Sequence, residues 1–194
     1  MQKVQKFKSL FLVILFGTMI LNSCKKSGDT PSPAASPAGS ITLNGTKMDL
    51  TKCYSMKNPT YAQEIALFFV SSGITITGLD SKGTNGFKAG TSGTGNMFLC
   101  MLHLPAGQTL PVSGTYTIES EPTYRVPFNY DGVFYKGIDV STSATTWVEL
   151  GLKKNLVLTV TKSGDVYEFA ASGLMEDNSP VNFTYKGSIS ILTQ

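Results

Sequence analysis

The sequence predicts an all-β fold, an antiparallel β-sandwich of about ten strands, and two observations support it. Short runs in which apolar and polar residues alternate are separated by Gly, Asn, Asp and Pro throughout residues 40–194. Almost no stretch shows the 3.6-residue period of an amphipathic helix. A closed, lipocalin-like β-barrel is the alternative, because both arrangements bury such strands without long exposed edges.

Two runs differ from the others because both of their faces are apolar: EIALFFVSS, residues 64–72, and NMFLCMLHL, residues 96–104. This pattern predicts central strands that are covered on two sides. QEIALFF, residues 63–69, contains no helix breaker, so a short opening helix is an alternative there. The Asn44-Gly45 pair earlier in the chain favours a tight hairpin turn.

The C-terminal third of the chain shows the clearest strand pattern. Two alternating runs, residues 155–161 and 166–172, flank the turn sequence KSGD. A third run, VNFTYKGSISIL at residues 181–192, keeps its apolar side chains at alternate positions. These three consecutive strands predict an antiparallel meander. Further strands are predicted over residues 41–43, 46–56, 74–79, 114–119, 132–141 and 144–152.

The chain begins with three Lys and no acid in MQKVQKFK, followed by an apolar run over residues 9–20. A membrane-spanning helix needs about 20 apolar residues, so this run predicts a secretory signal peptide instead. It ends in Leu21-Asn22-Ser23-Cys24, which resembles the lipobox of bacterial lipoproteins. The resemblance implies cleavage after Ser23, a diacylglycerol thioether on Cys24 and an added acyl chain such as palmitate.

Three segments are therefore predicted along the chain. Residues 1–23 form the lipoprotein signal peptide, residues 24–39 comprise the lipidated Cys24 and a flexible tether, and residues 40–194 form a single β-rich domain. The tether is rich in Ser, Pro, Ala and Gly and has almost nothing to bury, so it is expected to stay extended.

The net charge of +3 comes entirely from the predicted signal peptide, because Lys3, Lys6 and Lys8 lie there and no acid does. The remaining chain is about neutral. Nucleic-acid binding requires a basic face, so the charge distribution excludes this class of function.

Cys53 and Cys100 would lie in an oxidising compartment, where a disulfide persists. In regular strands, Cys53 shares a polar face with Asp49 and Ser55, whereas Cys100 shares an apolar face with Phe98. Alternation therefore predicts that Cys53 points outward and Cys100 inward. A disulfide between them stays an open alternative. The absence of CxxC or paired His argues against a metal site.

The remaining motifs give no recognisable catalytic constellation. The glycine-rich residues 80–97 lack the Gly-Lys-Ser/Thr end of a phosphate loop and predict a loop between strands, which could cover a ligand. His103 is the only histidine and is expected to be a partly exposed strand residue. Glu176 and Asp177 are predicted to be turn residues.

Aromatic residues cluster in TYRVPFNYDGVFYKG, residues 123–137, around a turn predicted at Asn129-Tyr130-Asp131-Gly132. Rings near a hairpin tip stack on sugars, and polar neighbours hydrogen-bond hydroxyl groups. The alternative is that half of these rings fill the core. The predicted ligand-binding residues are Tyr124, Arg125, Phe128, Asn129, Tyr130, Asp131, Tyr135 and Trp147.

The chain as a whole resembles lipoproteins of the Bacteroidota in its signal ending at Ser23-Cys24, its Ser/Pro tether and its closing VTKSGDVYEF hairpin. The resemblance implies a lipid anchor in the cell envelope, at the outer membrane because the residue after Cys24 is not Asp. Surface-exported members carry acids where this chain has Lys25 and Lys26, so the periplasmic and surface faces both remain open.

We therefore expect a membrane-anchored, non-enzymatic domain that binds a glycan, a small ligand or a protein. The alternative is a structural or accessory subunit of an envelope complex, and a hydrolase is a third hypothesis. No cofactor and no metal are expected. The expected partners are the membrane, through Cys24, and a glycan or envelope protein, with no nucleic acid.

Overall fold

The structure is a computed structural model, and it describes residues 38–58, 60–78, 90–118, 126–141, 148–153 and 156–192. All of these belong to one compact unit, residues 35–194. These ranges contain strands and connections and no helix, which confirms the predicted all-β class. The short helix considered at residues 63–69 is wrong, because a strand begins at Glu64. The predicted signal peptide, Cys24 and the tether up to residue 37 lie outside the described residues.

Twelve strands are found in the described part of the chain. They are β1 (Ala38–Leu43), β2 (Thr46–Asp49), β3 (Lys52–Lys57), β4 (Glu64–Val70), β5 (Thr94–His103), β6 (Gly114–Thr117), β7 (Tyr130–Asp139), β8 (Val148–Gly151), β9 (Val157–Ser163), β10 (Val166–Leu174), β11 (Pro180–Gly187) and β12 (Ser190–Ile191). The Asn44-Gly45 turn joins β1 to β2, and both residues have the positive φ that such a turn requires.

The strands form two six-stranded sheets that do not close into a barrel, so the predicted sandwich is confirmed. The first sheet has the order β2-β1-β11-β10-β9-β6, and the second has the order β12-β3-β4-β5-β7-β8. All paired strands are antiparallel except β12 and β3. The predicted meander is present as β9, β10 and β11. The two strands that are apolar on both faces, β4 and β5, are central in the second sheet, as predicted.

The main core lies between the two sheets and is dominated by aromatic rings. Phe69 on β4 lies at its centre, with its ring centroid 5.0 Å from Phe169, 4.8 Å from Phe183 and 5.2 Å from Tyr185. These three partners come from the first sheet, so the contacts join the sheets face to face. The edge-on geometry is the one that aromatic quadrupoles favour.

A second apolar layer covers part of the outward face of the second sheet. Phe68 and Val70 of β4 and Met97 of β5 are buried there, beneath Ile74 and Ile76. Residues 74–79 were predicted to be a strand. The described part makes only an isolated bridge at Thr75, because its apolar side chains are used to cover the sheet instead of extending it.

The predicted C-terminal strand, residues 181–192, is wrong in its second half. β11 ends at Gly187, and the chain then crosses to the second sheet, where β12 pairs with β3. Ile191, which the predicted alternation placed on the apolar face of this run, is 66% exposed. Of the strand predicted over residues 144–152, only the part from Val148 is described.

The chain also crosses between sheets immediately before β3. The Leu50 amide donates to the Gly39 carbonyl of the first sheet, whereas the next amide, Thr51, donates to Val70 of the second. Strand alternation therefore restarts at this point. Cys53, predicted to point outward, is only 2% exposed and faces the main core, as Cys100 does.

Both thiols are free in the structure. β4 separates their strands, and adjacent strands lie about 4.8 Å apart, which places β3 and β5 about 10 Å apart. A disulfide requires Cα atoms within about 7 Å. The open alternative of a Cys53–Cys100 disulfide is therefore not realised in this fold.

We expect both core thiols to be unreactive in the native protein, because burial raises the pKa of Cys53 and of Cys100 well above the ordinary thiol value. In a Cys24→Ser variant, a thiol reagent should label neither residue until denaturant is added. Thr159→Cys on the exposed face of β9 is the matched control and should be labelled at once. Equal labelling rates at the buried and exposed positions would contradict the placement of Cys53 in the core.

Candidate functional site

Two of the predicted ligand-binding residues, Asn129 and Tyr130, are buried and cannot contact an external ligand in this conformation. Tyr130 is 1% exposed, and its hydroxyl donates to the Leu156 carbonyl at 2.9 Å. Burial also raises its pKa. The turn predicted at residues 129–132 is wrong, because β7 already begins at Tyr130 and alternation directs that ring into the core.

Phe128 precedes β7 and is exposed, whereas the other described aromatic residues of this stretch are buried or half-buried. Its φ of 66° lies in the left-handed region, which a bulky residue seldom adopts. The ring is 37% exposed and packs against Tyr116, with the two centroids 5.3 Å apart. Its amide donates to the His103 carbonyl, which ties the turn to the end of β5. Tyr124, Arg125 and Trp147, also predicted to bind ligand, lie outside the described residues, as do residues 80–89 of the predicted glycine-rich loop.

Asp131 and Tyr135 lie on the outward face of the second sheet. Alternation along β7 places them opposite Met101 and Met97 of β5. Asp131 is exposed and Tyr135 is half-buried. Burial raises the pKa of Tyr135, and the nearby negative charge of Glu149 on β8 raises it further. The face therefore combines apolar and acidic side chains.

An open groove with a volume of about 500 Å³ occupies this part of the outward face. Leu99, Met101 and Val133 form its apolar floor, and all three are half-buried. The register pairs Leu99 with Val133, and Met101 is the next outward-facing residue along β5. Three exposed carboxylates also line the groove: Asp131, Glu149 and Glu176.

Glu176 reaches the groove from the turn between β10 and β11, where it was predicted. Its amide donates to the Gly151 carbonyl at 2.9 Å, which fixes the turn to the end of β8. Its carboxylate lies directly over Gly151, because a methyl group added there would come within 2.6 Å of Glu176 Oε2. The missing side chain of Gly151 therefore makes room for this carboxylate.

No ion pair among the described residues joins Lys153 to any of these three carboxylates. Lys153 follows β8, and its ammonium group donates to the Asn178 side-chain carbonyl. Asp177 is engaged separately, because hydrogen bonds from Ser179 lower its pKa. The ion pairs found among the described residues are Lys47–Asp49, His103–Glu64 and Lys186–Glu168. None of them involves a carboxylate of the groove.

The second polar cluster is a buried pair, Glu64 and His103, which face each other across β4 and β5. His103 Nε2 lies 3.5 Å from Glu64 Oε2, and Asn58 donates to the other carboxylate oxygen. His103 was predicted to be partly exposed and is instead 4% exposed. The pair lies at the ends of the two strands, and strand parity places both side chains on the outward face of the second sheet, the face that also carries Met101.

No group of three potential metal ligands occurs within the ranges that the structure describes. The same ranges hold no helix that is long and apolar enough to cross a membrane.

The residues that sequence reasoning missed are Leu99, Met101, Val133 and Glu149. Each lies on a predicted strand, but only the pairing of β5 with β7 and of β7 with β8 places them on one face. The apolar pattern of residues 96–104 did contain a signal, since a strand with two apolar faces needs a cover on its outward side.

Removing either member of the buried pair should destabilise the fold by about 3 kcal/mol, because it leaves the other polar group buried without this partner. Glu64→Leu and His103→Leu are each expected to show this loss in urea unfolding, and the double variant should lose less than the sum. Glu168→Leu, which breaks the exposed pair with Lys186, is the control and should cost under about 1 kcal/mol. If the double variant lost as much unfolding free energy as the sum of the two single variants, Glu64 and His103 would not be energetically coupled.

No match to the chain was found in comparisons with protein-family models, with curated proteins or with solved structures.

Proposed function

We propose that this protein is a lipid-anchored protein of the bacterial cell envelope whose β-sandwich binds a protein partner without catalysing a reaction. The observation that carries the proposal is the contrast between the outward faces of the two sheets. The outward face of the first sheet is polar, with exposed Thr159, Thr161 and Thr184. The outward face of the second sheet carries many apolar side chains, and the described residues cover only part of it.

The part that the described residues leave uncovered is the groove formed by β5, β7 and β8. Its floor is aliphatic and contains the flexible side chain of Met101, which adapts to irregular partners. Apolar residues on a solvent-facing sheet favour association, because burying them removes apolar surface from water at about 25 cal/mol per Å².

A protein partner is better supported than a glycan. The described lining residues include no aromatic ring on which a sugar could stack, since Leu99, Met101 and Val133 are aliphatic. Of the predicted aromatic site, Tyr130 is in the core and Tyr135 is half-buried outside the groove lining.

The anchor is proposed on the lipobox resemblance of residues 21–24 and on the composition of the tether. A diacylglycerol group and an N-acyl chain on Cys24 would together give stable attachment, which a single acyl chain would not. The outer membrane is the proposed location.

Cys24→Ser should prevent lipidation, so the protein should move from the membrane to the soluble fraction and should no longer incorporate a labelled palmitate analogue. Ser23→Ala is the matched control, because it keeps a small residue before the cysteine, and it should remain membrane-bound. Retention of both the label and the membrane association by Cys24→Ser would contradict the anchor.

Partner binding can be tested by placing a photoreactive amino acid at Met101 in cells and identifying the cross-linked product by mass. We expect one discrete protein adduct, because this position lies in the groove floor. The same amino acid at Thr159, on the outward face of the first sheet, should give no such adduct. Adducts of equal yield at both positions, or an adduct at Thr159 alone, would argue against the second sheet as the binding face.

A further inference from the structure

We infer that the groove on the second sheet binds a chain segment in which a Lys or Arg side chain lies next to apolar side chains. This inference rests on the proposed binding face and adds the chemistry of the partner. It concerns one occupant, an extended segment of another protein, and depends on charge complementarity together with the shape of the groove.

The charge of the groove is negative and is not balanced by described residues. Asp131 on β7, Glu149 on β8 and Glu176 in the turn after β10 all line it. Asp131 accepts a hydrogen bond from the Gly132 amide at 2.7 Å, which orients its carboxylate without neutralising it. A cation that entered the groove would gain from several carboxylates at once, whereas an anionic partner would be repelled.

The apolar floor lies directly beside this charge. Met101 is the register partner of Asp131, and Leu99 is the register partner of Val133. On its other side, Val133 pairs with Gly151, which lies beneath the Glu176 carboxylate. Met101 therefore has a carboxylate directly opposite on β7, and Val133 has the Glu176 carboxylate over its partner Gly151. A ligand that fits must present apolar and cationic groups side by side, as side chains two positions apart on one face of an extended segment do.

The size and openness of the groove also favour a segment of chain. Its volume of about 500 Å³ accommodates a few side chains, and it is open to solvent along the sheet. Aliphatic carbons of a Lys or Arg stem would pack on the floor while the charged end reaches the carboxylates. The positive charge would then remain partly hydrated, which limits the cost of desolvation.

The experiment uses the full chain in detergent and three blocked synthetic peptides of equal length. In these peptides Ser occupies every second position, and the positions between hold Leu in turn with Lys, with Gln or with Glu, so that Leu and the variable residue lie on one face of the extended chain. Fluorescence anisotropy at low salt should show the Lys peptide binding about tenfold more tightly than the Gln peptide and the Glu peptide binding more weakly still. Raising the ionic strength should reduce the preference for Lys, because salt screens exposed charges.

The decisive variant is the combination Asp131→Asn, Glu149→Gln and Glu176→Gln, which should remove the preference for Lys while leaving binding of the Gln peptide unchanged. A charge-matched control, Asp49→Asn with Asp165→Asn and Glu168→Gln, neutralises three carboxylates elsewhere and should keep the preference. Gly151→Ala should displace the Glu176 carboxylate and reduce the preference in part. Urea unfolding of each variant verifies that it remains folded.

The possible outcomes separate this inference from the proposed function. Equal binding of the Lys and Gln peptides, or a preference that survives the triple variant, would overturn the cationic partner. If Met101→Ala then weakens both peptides, the groove still stands as the binding face. If no peptide binds and the photoreactive amino acid at Met101 captures no protein, both the inference and the proposed function are overturned.

Discussion

The fold depends on the packing of Phe69 against the rings of Phe169, Phe183 and Tyr185 from the opposite sheet. These contacts fix which face of β4 points inward, because side chains alternate along a strand. With Phe69 in the main core, its neighbour Phe68 must point to the other side of the second sheet. Every outward position on β5, β7 and β8 then follows from the hydrogen-bonded register.

This constraint also accounts for the apolar outward face. All seven residues of β4 are buried, so the second sheet needs a cover on both sides. Residues Ile74 and Ile76 supply that cover over β4 and the start of β5. Over the end of β5 and over β7, the described residues leave Met101 and Val133 half-buried and facing the groove. The first sheet needs no cover on its outward face, because the side chains on that face are mostly polar.

The sequence was sufficient to predict most of the strands, the meander and the two central strands, because period-two alternation is a local signal. It was not sufficient where the chain changes sheets. At Leu50 and Thr51 the backbone leaves one sheet for the other, so the alternation that includes Asp49 says nothing about Cys53. The same break after Gly187 explains why Ile191 does not continue the apolar face of the run that contains Phe183 and Tyr185. A crossover needs no distinctive residue, because only tertiary packing requires it.

The candidate site illustrates the same limit on a larger scale. The predicted site consisted of residues close together in one stretch of sequence. Alternation along β7 places neighbouring members of that stretch on opposite faces of the sheet, with Tyr130 in the core and Asp131 in the groove. Glu149 and Glu176 come from other parts of the chain and join Asp131 only through strand pairing and the turn over Gly151. Exposed carboxylates at such positions contribute little to stability, since even paired surface charges are worth about 0–1 kcal/mol. Folding therefore gives no reason to place three of them around an apolar floor, whereas a partner that carries the opposite charge does.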